Sequence, residues 1–152
     1  MSDTTRVLFL CTGNSCRSQM GEGFLREIGG NSFDVHSAGT EIAERVHPLA
    51  VKAMAEVDID ISHQAPKDLG RYDDETFNLV ITVCDGAKQS CPMFLGANEN
   101  VHWSLEDPAD AEGTEEERMA FFREIRDIIH ERVRHLVETG EAVNDDGEHV
   151  RL

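Results

Sequence analysis

Cys11 and Arg17 enclose five small or polar residues in the run Cys11-Thr12-Gly13-Asn14-Ser15-Cys16-Arg17-Ser18. A thiol held beside a guanidinium is the pairing that a nucleophile acting on an oxyanion requires. The thiolate attacks, while the planar guanidinium grips two oxygens at once, which a lysine does poorly. The preceding stretch, Arg6-Val7-Leu8-Phe9-Leu10, is short and apolar and reads as a buried strand. The following stretch places Met20, Phe24 and Ile28 four apart, which is helical spacing, and stops at Gly29-Gly30. The loop therefore lies between a strand end and a helix N-terminus, where backbone N–H groups and the helix dipole favour a tetrahedral anion. The same field favours a thiolate, so Cys11 is expected to be a nucleophile at neutral pH. Thr12, Gly13, Asn14, Ser15, Cys16 and Arg17 are expected to hold the anion, and Ser18, at the helix start, to hydrogen-bond the Cys11 sulfur.

Further elements must position this loop. Phe33 to Gly39 reads as a second strand ending at a glycine turn, and His47-Pro48 opens a helix with proline at its tolerated first position. Leu49, Ala53 and Met54 supply that helix's buried face, and Pro66 to Leu69 start only a short helical turn. Phe77-Asn78-Leu79-Val80-Ile81-Thr82-Val83 is the clearest strand, β-branched and nearly all apolar, as a central parallel strand should be. Val101 to Trp103 is a weaker fourth strand. The last helix starts at Thr114, where Glu117 completes a capping box, and ends at Gly140. The polar stretch after Val143 reads as disordered. Gly21 and Gly23 fall inside the first helix, each costing about 1 kcal/mol against alanine, and are expected to loosen it. The alternation is that of a doubly wound α/β domain, with residues 1–140 as one domain and 141–152 as a polar C-terminal tail.

In such folds chemistry gathers beyond the carboxyl ends of the strands. Cys11 ends the first strand, Cys84 ends the third and Asp107 follows the fourth. The segment from Cys84 to Cys91-Pro92 contains Gly86, Ala87 and Ser90, a composition that allows rearrangement. The functional reading of these cysteines is a relay in which one thiol attacks, a second resolves and a third carries the oxidation outward. The alternative is two incidental buried cysteines. Asp107, stiffened by Pro108, is the candidate general acid opposite the nucleophile, with Glu106 and Asp110 beside it. Zinc is not expected: the cysteine pairs lack close Cys-x-x-Cys spacing, and a metal on Cys11 would quench the nucleophile.

Thirty acidic and fourteen basic residues give the 152-residue chain a formal charge of −16. That charge excludes nucleic acid as a partner. It also repels an anionic substrate at long range, so the local potential at the loop must prevail over a field that salt screens. No apolar run reaches the length of a membrane span, and Met1 to Thr5 lack a basic, apolar secretory pattern, so a cytoplasmic protein without membrane contact is expected.

The loop from Cys11 to Ser18, the Ser37-Ala38-Gly39-Thr40 turn, Cys84 through Cys91-Pro92, and Trp103 through Asp107-Pro108 together resemble the thioredoxin-coupled arsenate reductases. Those enzymes share the fold of the low-molecular-weight protein tyrosine phosphatases. The resemblance runs to about Gly140. It implies a four-stranded parallel sheet flanked by helices, with the phosphate-type Cys-x5-Arg loop after the first strand. It further implies arsenate as substrate, Cys11 as nucleophile, Cys84 as resolving thiol and Cys91 as the last acceptor. Thioredoxin would be the reductant, with glutaredoxin or another dithiol protein also open. No organic cofactor is implied, and a monomer is expected. By similarity a potassium ion behind the loop would take Asn14, Glu22, Ser37 and Asp68 as ligands, although the match around Asp68 needs a gap. Cys16 is left with two readings, lining the loop or trapping an over-oxidised Cys11.

Two other readings share part of this site. A tyrosine phosphatase with redox-protective cysteines would use Cys11, Arg17 and Asp107 without requiring Cys84 or Cys91. Such an enzyme usually holds its phenol ring between aromatic walls, whereas the loop here continues Asp107-Pro108-Ala109-Asp110 in a chain with one Tyr and one Trp. A non-catalytic oxyanion-binding regulator would need no general acid.

Overall fold

A computed structural model describes residues 4–84, 94–145 and 147–152. Four strands, β1 (Thr5–Cys11), β2 (Phe33–Gly39), β3 (Phe77–Cys84) and β4 (Ala97–Ser104), form one parallel sheet in the order β2-β1-β3-β4. Helices α1 (Arg17–Gly29), α2 (Pro48–Ala55) and α3 (Glu115–Thr139) flank it. β1 and β3 are central, and Val7, Leu8, Phe9 and Leu10 are fully buried, which is why β1 reads as an unbroken apolar run. Alternate residues serve opposite faces. Val7, Phe9, Leu79, Ile81 and Trp103 join one core with the buried faces of all three helices. Leu8, Leu10 and Val80 join a smaller core with Tyr72, Phe77 and Phe94. No helix among the described residues is long and apolar enough to cross a membrane.

The local signals act as read. Thr114 and Glu117 form the capping box of α3, and Gly140 ends that helix. His47 caps α2: its Nδ1 accepts from the Leu49 N–H at 3.1 Å, with Pro48 in the first turn. Glu56, following α2, accepts from Arg123 and Arg126 of α3, and these guanidinium groups hold its carboxyl down at about 2. The sequence register brings the chemistry to one edge. Cys11 pairs with Gly39, Leu10 pairs with Thr82, and Cys84 pairs with Ser104. Cys11 and Cys84 therefore end neighbouring strands at almost the same level.

Two expectations are corrected. The stretch after Val143 is not disordered: β5 (Glu141–Val143) and β6 (His149–Arg151) form an antiparallel hairpin that buries Ala142 and Val150. Its turn also covers the outer edge of β4. The Asn144 side chain accepts from the His102 N–H at 2.9 Å, the Asp145 carboxylate accepts from the Ser104 N–H at 3.0 Å, and Trp103 Nε1 donates to Val143 O at 2.9 Å. Polar side chains that suggest solvent are here satisfying a sheet edge.

Nor do the glycines loosen α1. A Cβ on Gly21 would lie 2.7 Å from the Phe9 ring, and one on Gly23 would lie 2.6 Å from Ile61 Cγ2. The helix lies so close to β1 at Gly21, and to the segment after α2 at Gly23, that only a hydrogen fits. The propensity lost, about 1 kcal/mol per glycine, is set against overpacking costs of typically 1–3 kcal/mol. Gly21→Ala is therefore expected to lower the urea midpoint of unfolding, by about 1 kcal/mol of stability net. A raised midpoint would show that Phe9 moves aside freely and that the close approach is not needed.

Candidate active site

The loop between β1 and α1 has its carbonyls turned outward. Thr12 O accepts from Glu41 N at 2.9 Å, Gly13 O from Ala43 N at 3.0 Å, Asn14 O from Gln19 Nε2 at 3.0 Å and Ser15 O from His47 N at 2.9 Å. Across a planar trans peptide the C=O and the next N–H point in opposite directions. The N–H groups of residues 13–16 are therefore turned towards the loop's interior, the arrangement that binds a tetrahedral oxyanion. Gly39, beside Cys11, allows the loop to lie against β2, since a Cβ there would meet Thr12 O at 2.5 Å.

Two polar groups converge on the Cys11 sulfur. The Asn14 N–H lies 3.0 Å from Cys11 Sγ, and Ser18 Oγ lies 2.9 Å from it. Asn14 Nδ2 donates to Ser18 Oγ at 2.7 Å, which leaves the serine's own hydrogen available to the sulfur. The expected contact between Ser18 and the Cys11 sulfur is present. Arg17 is 3% exposed, donates to Leu105 O at 2.8 Å and reaches Asp107 Oδ2 at 3.4 Å. Asp107 caps the 3-10 turn Pro108–Asp110: its Oδ1 accepts from the Ala109 N–H at 3.0 Å. One carboxyl oxygen is thus anchored while the other faces the arginine. Cys11 and Arg17 come from the one loop between β1 and α1, and Asp107 from the segment after β4.

The remaining cysteines differ in state. Burial pushes the Cys16 thiol up to about 12, and both Cys11 and Cys16 are free. Cys84 is fully buried at the end of β3 and is disulfide-bonded. Its carbonyl accepts from the Leu105 N–H at 3.2 Å, and the Leu105 carbonyl in turn holds Arg17. Cys91 lies outside the described residues. His47, next to the loop, is pushed below its ordinary range by burial and by Arg118, which suits the neutral ring that accepts from Leu49. A cavity of about 300 Å³ opens between Ser15 and residues 43–48.

Behind the loop, Ser37 Oγ donates to Glu22 Oε1 in a short hydrogen bond, so two of the four expected potassium ligands meet. Asn14 faces the same region, whereas Asp68 caps the 3-10 turn Leu69–Tyr72 through its Oδ2, which accepts from the Gly70 N–H at 3.0 Å. The Lys67 ammonium enters between Glu22 and Ser37. Lys67, Gln19 and Gln64 escape a motif reading. Gln19 Nε2 donates to both oxygens of Asn14, and Gln64 holds Gln19. The one signal available was the gap that the resemblance needs near Asp68.

Residues 6–149 match the family described as low molecular weight phosphotyrosine protein phosphatase. The chain belongs to that family. The arsenate reductase of Halalkalibacterium halodurans is 48% identical over 134 residues, spanning 88% of this chain and 96% of the relative. A solved arsenate reductase in the phosphate binding state superposes with a TM-score of 0.75 at 35% identity, covering 89% of this chain and 98% of the other. The thioredoxin-dependent arsenate reductase of Corynebacterium glutamicum gives 0.66 at 31% identity, covering 91% of this chain and 62% of that one. Within the low-molecular-weight phosphatase family, then, this chain is similar to reductases over nearly its whole length.

The contrast between Cys11 and Cys16 is open to alkylation. In fully reduced protein at pH 7.5, iodoacetate is expected to leave Cys16 intact, because burial pushes its thiol up to about 12 and only a thiolate reacts, and to modify Cys11, whose sulfur meets the Asn14 N–H and Ser18 Oγ. Ser18→Ala should slow modification of Cys11. Peptide mapping by mass spectrometry reads both, and equal labelling of Cys11 and Cys16 would contradict the assignment.

Proposed function

We propose that this chain reduces arsenate to arsenite, using Cys11, Cys84 and Cys91 in sequence and an external dithiol protein of the thioredoxin type. The observation that carries the reading is Cys84. It ends the strand beside that of Cys11 and is disulfide-bonded while Cys11 remains a thiol. A phosphatase needs no second cysteine there. The similarity to named arsenate reductases over nearly the whole chain supports the same choice.

The loop N–H groups and Arg17 hold arsenate, and the Cys11 thiolate attacks arsenic. Asp107 gives its proton to the departing oxygen, which leaves as water. The Cys84 thiolate then attacks the Cys11 sulfur. The electron pair of the sulfur–arsenic bond passes to arsenic, which leaves as arsenite, and a Cys11–Cys84 disulfide forms. Cys91 attacks the Cys84 sulfur, freeing the Cys11 thiolate and leaving a Cys84–Cys91 disulfide. The external dithiol reduces that disulfide and completes a two-electron cycle. The Corynebacterium relative is itself named thioredoxin-dependent, which supports this choice of reductant.

Two variants separate the steps. Cys84→Ser is expected to stop multiple-turnover arsenite production while sparing aryl-phosphate hydrolysis, which uses only Cys11, Arg17 and Asp107. Asp107→Asn should slow formation of the arsenic–sulfur bond by roughly 10²–10⁴-fold with oxyanion binding nearly intact. Normal thioredoxin-coupled turnover by Cys84→Ser would overturn the relay.

A further inference from the structure

We propose that the Lys67 ammonium is this protein's own cation behind the active-site loop, standing where a potassium ion would otherwise sit, so that no potassium is required. The ammonium has three N–H donors and meets three acceptors: Ala65 O at 3.0 Å, Ser37 Oγ at 3.4 Å and Glu22 Oε1 at 3.4 Å. It is largely withdrawn from water, with its side chain 15% exposed and that of Glu22 5% exposed. An ammonium and a potassium ion are of similar size and carry the same charge, and both take oxygen partners.

The other expected ligands are already committed. Asn14 Oδ1 has two lone pairs; it accepts from the Lys67 backbone N–H at 2.8 Å and from Gln19 Nε2 at 3.1 Å. The Asp68 carboxylate is exposed and caps the Leu69–Tyr72 turn instead. Charge argues the same way. Glu22 is the one buried carboxylate among the described residues, and its second oxygen holds Arg26 at 2.6 Å. Two cations already share it, so a third would enter a site whose balance is positive.

Lys67 also connects this centre to the nucleophile. Its ammonium is anchored by Glu22 and Ser37, and its backbone N–H holds the Asn14 amide, which through Ser18 reaches Cys11 Sγ. Lys67 is thus a positioning residue, acting through Asn14 and Ser18, and this role does not depend on which oxyanion the loop turns over.

Thermal melts of the intact protein in KCl and in NaCl at matched ionic strength test the proposal without any assay of turnover. The wild type should show the same Tm in the two salts at every concentration. Lys67→Ala opens a cation-sized space beside Glu22; it should melt lower in NaCl and regain part of the loss in KCl, in a saturable manner. A Lys67→Ala protein that folds only in KCl would support the proposal equally. A saturable, potassium-specific rise in the wild type would overturn it, and that measurement stands even where the variant does not fold. Lys67→Ala melting like the wild type, or lowered equally in both salts, would also overturn it.

Discussion

The active-site loop depends on one residue held in an unfavourable conformation. Asn14 adopts φ of 50°, in the left-handed region that costs a non-glycine residue roughly 1–2 kcal/mol. Each of its polar groups repays that cost. The backbone N–H serves Cys11, Nδ2 serves Ser18, Oδ1 accepts from Lys67 and Gln19, and the carbonyl accepts from Gln19. At about 1 kcal/mol net for each hydrogen bond, the set exceeds the strain. Asparagine is among the few side chains that tolerate this backbone and also carry an amide. The turn at Asn14 aims the loop N–H groups inward, supplies one donor to Cys11 Sγ and holds the Ser18 hydroxyl beside it.

The global charge and the local field pull in opposite directions, and distance decides between them. A formal charge of −16 acts on an approaching anion from the outside. Ions screen it over about 8 Å at physiological salt. Arg17 and the loop N–H groups act at contact and behind protein walls, where screening is weak. The acidic surface contributes little to the fold itself. Pairs such as Arg134 with Glu131 and Glu138 are exposed, and solvent and salt screen most of their attraction. Stability rests instead on the buried sheet and the helices pressed against it.

What could be read in the chain was whatever acts locally. The apolar run of β1, the Cys-x5-Arg spacing, the His47-Pro48 helix start and the Thr114–Glu117 capping box each combine residues a few positions apart, so type and spacing suffice. The alternation of those elements then gives the parallel sheet. Distant contacts decide the rest. Nothing near Gly21 in sequence announces Phe9, and nothing near Asn144 and Asp145 announces the edge of β4. Lys67 lies 45 positions from Glu22, and only the fold makes it a neighbour. The candidate catalytic residues were legible because oxyanion chemistry needs particular side chains at strand ends. The supports behind them were not, because Gln19, Gln64 and Lys67 are ordinary surface residue types until the fold buries the first and half-buries the other two.

The proposed function rests on two electrons being supplied by thiols within one chain. A single turnover without external reductant tests that most directly. Fully reduced protein, mixed with excess arsenate and quenched by acid, should yield one arsenite per chain, and peptide mapping should find Cys11 and Cys16 as thiols with Cys84 joined to Cys91. Arsenite forming only once thioredoxin is added would contradict the relay, as would a disulfide that retains Cys11 at the end of the reaction.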